Sequence, residues 1–188
     1  MSCRVGDRIS LVAVGDLLLH MPLQRYAGST AEGHRRLWRS LEPLIAGADL
    51  AYANFEGTIR PDRPQSSYPQ FNYNAALPKA LRDSGFDVIS TANNHAMDSG
   101  PLGVDSTLDA LDAAGLATTG TRRRGDTTTP WYTTADVKGH RIAFIAATFA
   151  TNGIPDLNRQ VFNLTRDRKE LLALVSELAN RKDIAAVI

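Results

Sequence analysis

The sequence predicts an α/β layered fold built around a largely parallel sheet. Three observations lead there: β-rich and helix-like runs alternate, a hairpin pattern surrounds Lys138-Gly139, and the apolar strand runs end in polar residues. The chain has 188 residues, suited to one domain over 1–188, with 43% hydrophobic and 22% charged residues, enough for a sizeable core. A formal net charge of +1 gives no electrostatic case for nucleic acid or an acidic membrane as partner.

"RISLVAV" (Arg8 to Val14) is a short β-rich run ending at Gly15-Asp16. Leu37, Leu41, Leu44 and Ile45 then follow helical spacing up to Gly47. "DLAYANFEG" reads as a second strand with a polar end, and "RPDRPQSSYPQ", with three prolines, as a loop. "LPKALRDSGF" is a short helix, "FDVISTA" a third strand. Gly100-Pro101 opens a helix with Leu102, Leu108 and Leu111 on its apolar face, stopped at Gly115. "PWYTTADVKGHRIAFIAAT" is the hairpin. "RDRKELLALVSELANRKD" is an amphipathic helix with Leu171, Leu172, Val175 and Leu178 on one face, and "IAAVI" starts a further strand.

A single cysteine, Cys3, excludes an intramolecular disulfide and a cysteine-built metal site. No hydrophobic lipobox precedes Cys3 to mark it for a lipid, no apolar stretch reads as a signal peptide, and no run approaches a membrane span. The chain as given therefore reads as soluble, either a cytosolic protein or one whose export segment is not part of this sequence. The basic "TRRRGD" cluster (Arg122 to Arg124) reads as a solvated loop. His34 and His140 read as structural or solvated.

In α/β folds ligands gather outside the carboxyl ends of the strands. Asp16 and His20 follow the first strand, Asn54 and Glu56 the second, and Asn93, Asn94, His95 and Asp98 the third. This inventory of oxygen donors and imidazole suits Mg, Mn, Zn or Fe. Each residue also has a plainer use. Asp16 suits a turn, His20 a surface loop, Glu56 an exposed turn, Asn93 a turn held by its own backbone bonds, and Asp98 the cap of the next helix. Asn94-His95 is harder to explain away, because polar groups at a buried strand end need partners. No Gly-x-Gly-x-x-Gly or phosphate-loop motif follows any strand, which argues against a plain nucleotide-binding domain.

The blocks "LVAVGDLLLH", "YANFEGTI", "GFDVISTANNHAMDSG" and "ATNGIP", in that order, resemble the bacterial capsule-synthesis CapA family, the poly-γ-glutamate capsule proteins. The resemblance runs from about Ile9 onward; the family's later His-Trp-Gly block is not in this sequence, so the chain resembles the N-terminal portion of that domain. The family in turn resembles the calcineurin-like metallophosphoesterases. That implies a layered α/β/β/α sandwich with mixed sheets, here truncated on its C-terminal side, and a hydrolase site with two divalent metal ions when complete. By that resemblance Asp16 would bind one metal, Glu56 would bridge, Asn94 would offer its carbonyl oxygen to the second, and His95 would be the acid beside the substrate. His20, Asn54 and Asn93 are additional candidates. Asp16-Leu-Leu-Leu-His20 departs from the phosphoesterases' Asp-x-His, and Asn54-Phe55-Glu56 from their Gly-Asp block. The resemblance also implies an extracytoplasmic or membrane-associated setting. A non-catalytic role as partner of a membrane-bound polymer synthase is the alternative.

Overall fold

The computed structural model describes residues 8–188, so Cys3 lies outside the described residues. Four parallel strands form the first sheet in the order β1 (Leu11–Leu17), β2 (Leu50–Phe55), β3 (Val88–Ser90), β4 (Ala117–Thr119). The second sheet runs β5 (Tyr132–Val137), β6 (His140–Ile145), β7 (Ala186–Val187), antiparallel then parallel. The helices are α1 (Met21–Ala27), α2 (Ala31–Arg35), α3 (Glu42–Ala46), α4 (Leu77–Asp83), α5 (Gly100–Ala113) and α6 (Arg168–Asn180).

Side-chain alternation along β2 explains the layering. Leu50 and Tyr52 point toward the second sheet and join Val88, Ile142 and Phe144, with the Tyr52 and Phe144 rings stacked at 6.0 Å. Ala51, Ala53 and Phe55 point the other way, into a cluster with Ile45, Leu77, Leu81 and Leu111 from the helices. Beyond the second sheet, α6 closes the far side through Leu178, packed with Ala143 and Ile184. The result is an α/β/β/α sandwich with one parallel and one mixed sheet. Fully burying a side chain such as Phe55 or Phe144 stabilises this core by about 1.5–3 kcal/mol each. No helix among the described residues is long and apolar enough to cross a membrane.

Several elements differ from the sequence expectation. β1 continues through Gly15-Asp16 to Leu17, because a register irregularity between Ala13 and Asp16 lets pairing with β2 resume. The Leu37–Ile45 segment is not one helix. Pro43 supplies no backbone N–H and starts a new turn, so a 3-10 turn (Arg39–Leu41) and α3 divide it, leaving Leu41 and Leu44 exposed. α1 and the short strand β4 have no counterpart in the sequence reading. On α5 the buried stripe is Val104, Leu108 and Leu111, with Leu102 outside it; on α6 Leu178 is buried while Leu172 and Val175 face out.

The hairpin turn is where it was expected: Lys138 and Gly139 both take positive φ (49° and 77°), and Val137 pairs with His140 at the start of β6. His34 is fully buried in α2, its Nδ1 2.8 Å from the Thr30 carbonyl oxygen. In the Arg122–Arg124 cluster Arg123 and Arg124 are exposed, as expected of a solvated loop, and Arg122 is partly buried. Arg123 pairs with Asp109 and Asp112, Arg124 pairs with Asp105, and Arg122 turns over the Trp131 ring.

Candidate functional site

Parallel pairing brings the polar strand ends side by side. Asp16 on β1 is in register with Asn54 on β2, and Asn54 with Ser90 on β3. Glu56 follows β2 immediately, and the turn after β3 carries Asn93, Asn94, His95 and Asp98 into α5. Gly57 makes the turn after Glu56 with φ of 142°, and its missing side chain lets Tyr73 and Phe71 close on the strand end. The buried Tyr73 hydroxyl donates to the Glu56 carbonyl (2.6 Å) and accepts from the Leu19 amide (3.3 Å), tying β1, β2 and the Pro-rich loop together. Burial pushes the Tyr73 phenol up and keeps it neutral.

One side-chain amide organises the carboxylates. Asn54 Nδ2 donates to Asp16 Oδ1 at 2.8 Å and to Glu56 Oε2 at 2.6 Å. Its Oδ1 accepts from Asn93 Nδ2 at 3.1 Å, and the same Nδ2 donates to the Phe55 carbonyl at 2.7 Å. Asn93 Oδ1 in turn accepts from the His95 amide, an Asx turn that fixes the loop. Glu56 is buried, and burial raises its pKa; the Asn54 bond opposes this and the Asp16 charge adds to it. Asp16 itself is exposed.

His95 belongs to a second group. Its Nδ1 lies 2.7 Å from Asp98 Oδ2, which also accepts the Phe71 amide at 2.6 Å. Asp98 is therefore not the helix cap. Ser99 holds that position without a side-chain bond, and Asp98 turns inward because Phe71, 27 residues earlier, offers a buried N–H. Burial raises the Asp98 pKa against the pull of Phe71 and His95, and its Oδ1 is buried with no partner. Donation from Nδ1 to Asp98 leaves Nε2 as the His95 nitrogen able to exchange a proton. The His95 ring meets the Phe71 ring edge-on at 4.8 Å, as does the exposed His20 at 5.2 Å. Among the described residues the His20 ring has no hydrogen bond or ion pair.

A cleft of about 460 Å³ opens beside His95, lined by Tyr68, Gln70, Asn94, Asp98, Asn152 and Ile154 among others. Asn152 Nδ2 is 3.4 Å from His95 Nδ1, and its Oδ1 accepts from Asn94 Nδ2 at 3.4 Å. Asn94 is thus gathered with His95 and Asn152, and no hydrogen bond joins it to Asp16 or Glu56 among the described residues. The sequence reading missed Asn152 and the Asp98 role. The signal for the former was the Asn152-Gly153 pair in the quoted "ATNGIP" block, where both residues take positive φ.

The donor chemistry of Asp16 and Glu56 suits a hard divalent cation. The arrangement is incomplete, however: among the described residues no three His, Cys, Asp or Glu side chains are grouped to hold one. The amide nitrogen of Asn54 occupies the direction shared by the two carboxylates.

Comparison with known proteins gives the context. The chain is 28% identical over 200 residues to the PGA biosynthesis protein CapA of Bacillus subtilis (strain 168), covering 96% of this chain and 48% of that protein. It is 25% identical over 119 residues to the capsule biosynthesis protein CapA of Bacillus anthracis, covering 60% and 28%. It is 32% identical over 119 residues to the uncharacterized protein y4sH of Sinorhizobium fredii (strain NBRC 101917 / NGR234), covering 60% and 24%. The chain thus spans about half or less of the length of these relatives. A family model described as "Bacterial capsule synthesis protein PGA_cap" matches residues 10–188, and the chain belongs to that family.

Proposed function

We propose that the chain is the N-terminal part of a CapA-type domain that acts in synthesis of a capsule or related cell-envelope polymer such as poly-γ-glutamate, with a metal-dependent hydrolase site at its strand ends. The carrying observation is the convergence of Asp16, Asn54, Glu56 and Asn93 from adjacent strand ends, beside a cleft containing His95. Asp16 and Glu56 would hold a divalent ion (Mn, Zn, Fe or Mg), with Asn94 as a further oxygen donor. Such an ion supplies positive charge that polarises an ester or amide oxygen. His95, oriented by Asp98 through Nδ1 and lining the cleft, would in its doubly protonated form give the Nε2 proton to a leaving group, and the amides of Gln70, Asn94 and Asn152, which line the same cleft, would position a substrate. The setting that goes with this reading is extracytoplasmic or membrane-associated, beside a membrane-bound polymer synthase.

The test has two arms. Calorimetric titration with manganese should show weak binding that Asp16→Ala and Glu56→Ala each abolish, because affinity depends on a complete ligand set. In a polymer-producing cell, the Asp16→Ala, His95→Ala double variant should fold and yield no polymer. Wild-type polymer levels from that variant would sink the catalytic reading and favour a non-catalytic partner of the synthase, the role suggested by the incomplete donor set.

A further inference from the structure

A second polar concavity, of about 360 Å³, shares no lining residue with the His95 cleft. Its walls come from β4, the loop after it, the start of β5 and one side of α5. Arg122 lies in it, and the position of that arginine is fixed. Its backbone amide donates to the Gln160 carbonyl at 2.7 Å, and its guanidinium carbon sits 3.8 Å from the Trp131 ring centroid. Trp131 is in turn stacked on Phe162 at 4.7 Å and anchored by its Nε1 donating to Glu170 at 3.0 Å.

What distinguishes Arg122 is the lack of an acceptor. Among the described residues its buried Nε has no hydrogen-bond partner and the guanidinium donates to no protein oxygen. The carboxylates nearby are committed elsewhere. Asp109 and Asp112 bind Arg123, and Asp126 accepts from Thr128 and Thr129. Glu170 accepts from Trp131 and Arg159, and Asp167 from Arg159 and Arg166. Thr118 and Thr133 also line the concavity, and their hydroxyls make no hydrogen bond to any described group. Burial, the largest influence on Arg122, lowers its pKa, but guanidinium begins so high that it stays charged at neutral pH.

A purely structural arginine stacked on a tryptophan accounts for the ring contact and leaves the buried Nε unexplained. A planar fork of donors, held against an aromatic ring in a concavity also lined by Thr118 and Thr133, matches the oxygens of a carboxylate or a phosphate. We propose that this concavity binds a small oxyanion, or the oxyanion terminus of a larger ligand, through Arg122. The site is independent of the strand-end cluster and of any metal there.

Trp131 makes the proposal measurable. The full chain has two tryptophans, so Trp38→Phe leaves Trp131 as the sole reporter under the guanidinium. In that background, tryptophan emission is followed during titration with inorganic phosphate and, separately, with acetate, against potassium chloride at matched ionic strength. A saturable change with one or both anions, absent with chloride, is expected, and the anion saturating at lower concentration identifies the ligand chemistry. Arg122→Gln should weaken binding by about ten-fold or more, the effect of losing charge-assisted bonds. Arg122→Lys, which keeps the charge but not the fork, should fall between. Saturation at the same concentration in Arg122→Gln and the parent would overturn the proposal. So would a response to neither anion beyond that of chloride. If Arg122→Gln does not fold, equal affinity of Arg122→Lys and the parent serves as the overturning result. None of these outcomes bears on manganese binding, so the strand-end reading is tested separately.

Discussion

Asn54→Asp tests the architecture of the strand-end cluster directly, because it changes one atom type and almost no volume. In the native protein Asn54 Nδ2 donates to the buried Glu56 at 2.6 Å and to the exposed Asp16 at 2.8 Å. The variant turns that shared donor into a third carboxylate. Losing the bond to Glu56 costs about 1.5–3 kcal/mol. The bond to solvent-exposed Asp16 is worth less, about 0.5 kcal/mol. The added repulsion has a ceiling, since the cluster can take up a proton instead. That uptake costs about 1.4 kcal/mol per pH unit above an ordinary carboxylate pKa, or about 4 kcal/mol at neutral pH. The sum is roughly 2–7 kcal/mol of destabilisation in chelator, a large share of the ~5–15 kcal/mol typical of a domain.

The sign with pH follows. A carboxylate whose folded pKa is raised stabilises fully below its unfolded pKa, and that stability is lost as pH rises through the folded value. The deficit should therefore shrink between neutral pH and about pH 5. Urea denaturation followed by circular dichroism, with chelator and with manganese, measures all of this. Manganese should restore part of the loss, since ligand binding to the folded state stabilises it by mass action. A variant within about 0.5 kcal/mol of the parent at neutral pH in chelator would refute the convergence of the three side chains. A large deficit that manganese leaves untouched would keep the convergence and reject the metal.

Three further outcomes are expected. Glu56→Gln should raise the melting temperature of chelated protein at neutral pH. Burial raises the folded pKa of Glu56, so the native protein loses stability as pH rises through it, and the gap between the two proteins should close in acid. Asp98→Ala should cost about 2–5 kcal/mol by urea denaturation, because the Phe71 N–H and His95 Nδ1 lose their common acceptor; nitrogen NMR should show His95 no longer held as the Nδ1–H form. Gly57→Ala should cost about 2–4 kcal/mol, read as a lower melting temperature. Its Cβ would come within 2.7 Å of Tyr73 Cε2 and 2.9 Å of Phe71 Cβ, at a φ of 142°.

The strand–helix order and the hairpin were legible because their signals are local: β-rich runs alternating with helix-like ones, Gly100-Pro101 opening α5, Lys138-Gly139 between β5 and β6. The misread elements are those where distant partners outweigh local pattern. Leu37 to Ile45 has helical spacing, but Pro43 divides the segment, and Leu37 and Ile45 pack against the core while Leu41 and Leu44 stay exposed. Leu172 and Val175 continue an apolar stripe that the second sheet does not cover, since Leu178 makes the deep contact. The gathering of Asp16, Asn54, Glu56 and Asn93 was visible as polar residues at successive strand ends. Asp98 looked like a cap because its position before α5 is a cap position. Its acceptor duty to Phe71 depends on a loop contact that no local window contains.

Asn54 decides how the two carboxylates coexist. Asp16 and Glu56 both approach one amide nitrogen, and the two donors of that nitrogen screen charges that would otherwise repel. An amide can serve a cation only through its oxygen, and Asn54 Oδ1 already accepts from Asn93. Turning the amide to free that oxygen would remove the donors from both carboxylates and set an NH2 group against the Asn93 NH2. Asn54 as placed is therefore a support for the carboxylates, and their remaining oxygens are the ones able to meet a divalent ion. On the proposed reading, weak metal binding would follow from the hydrogen-bond network itself, and tightening it would require oxygen donors beyond this pair.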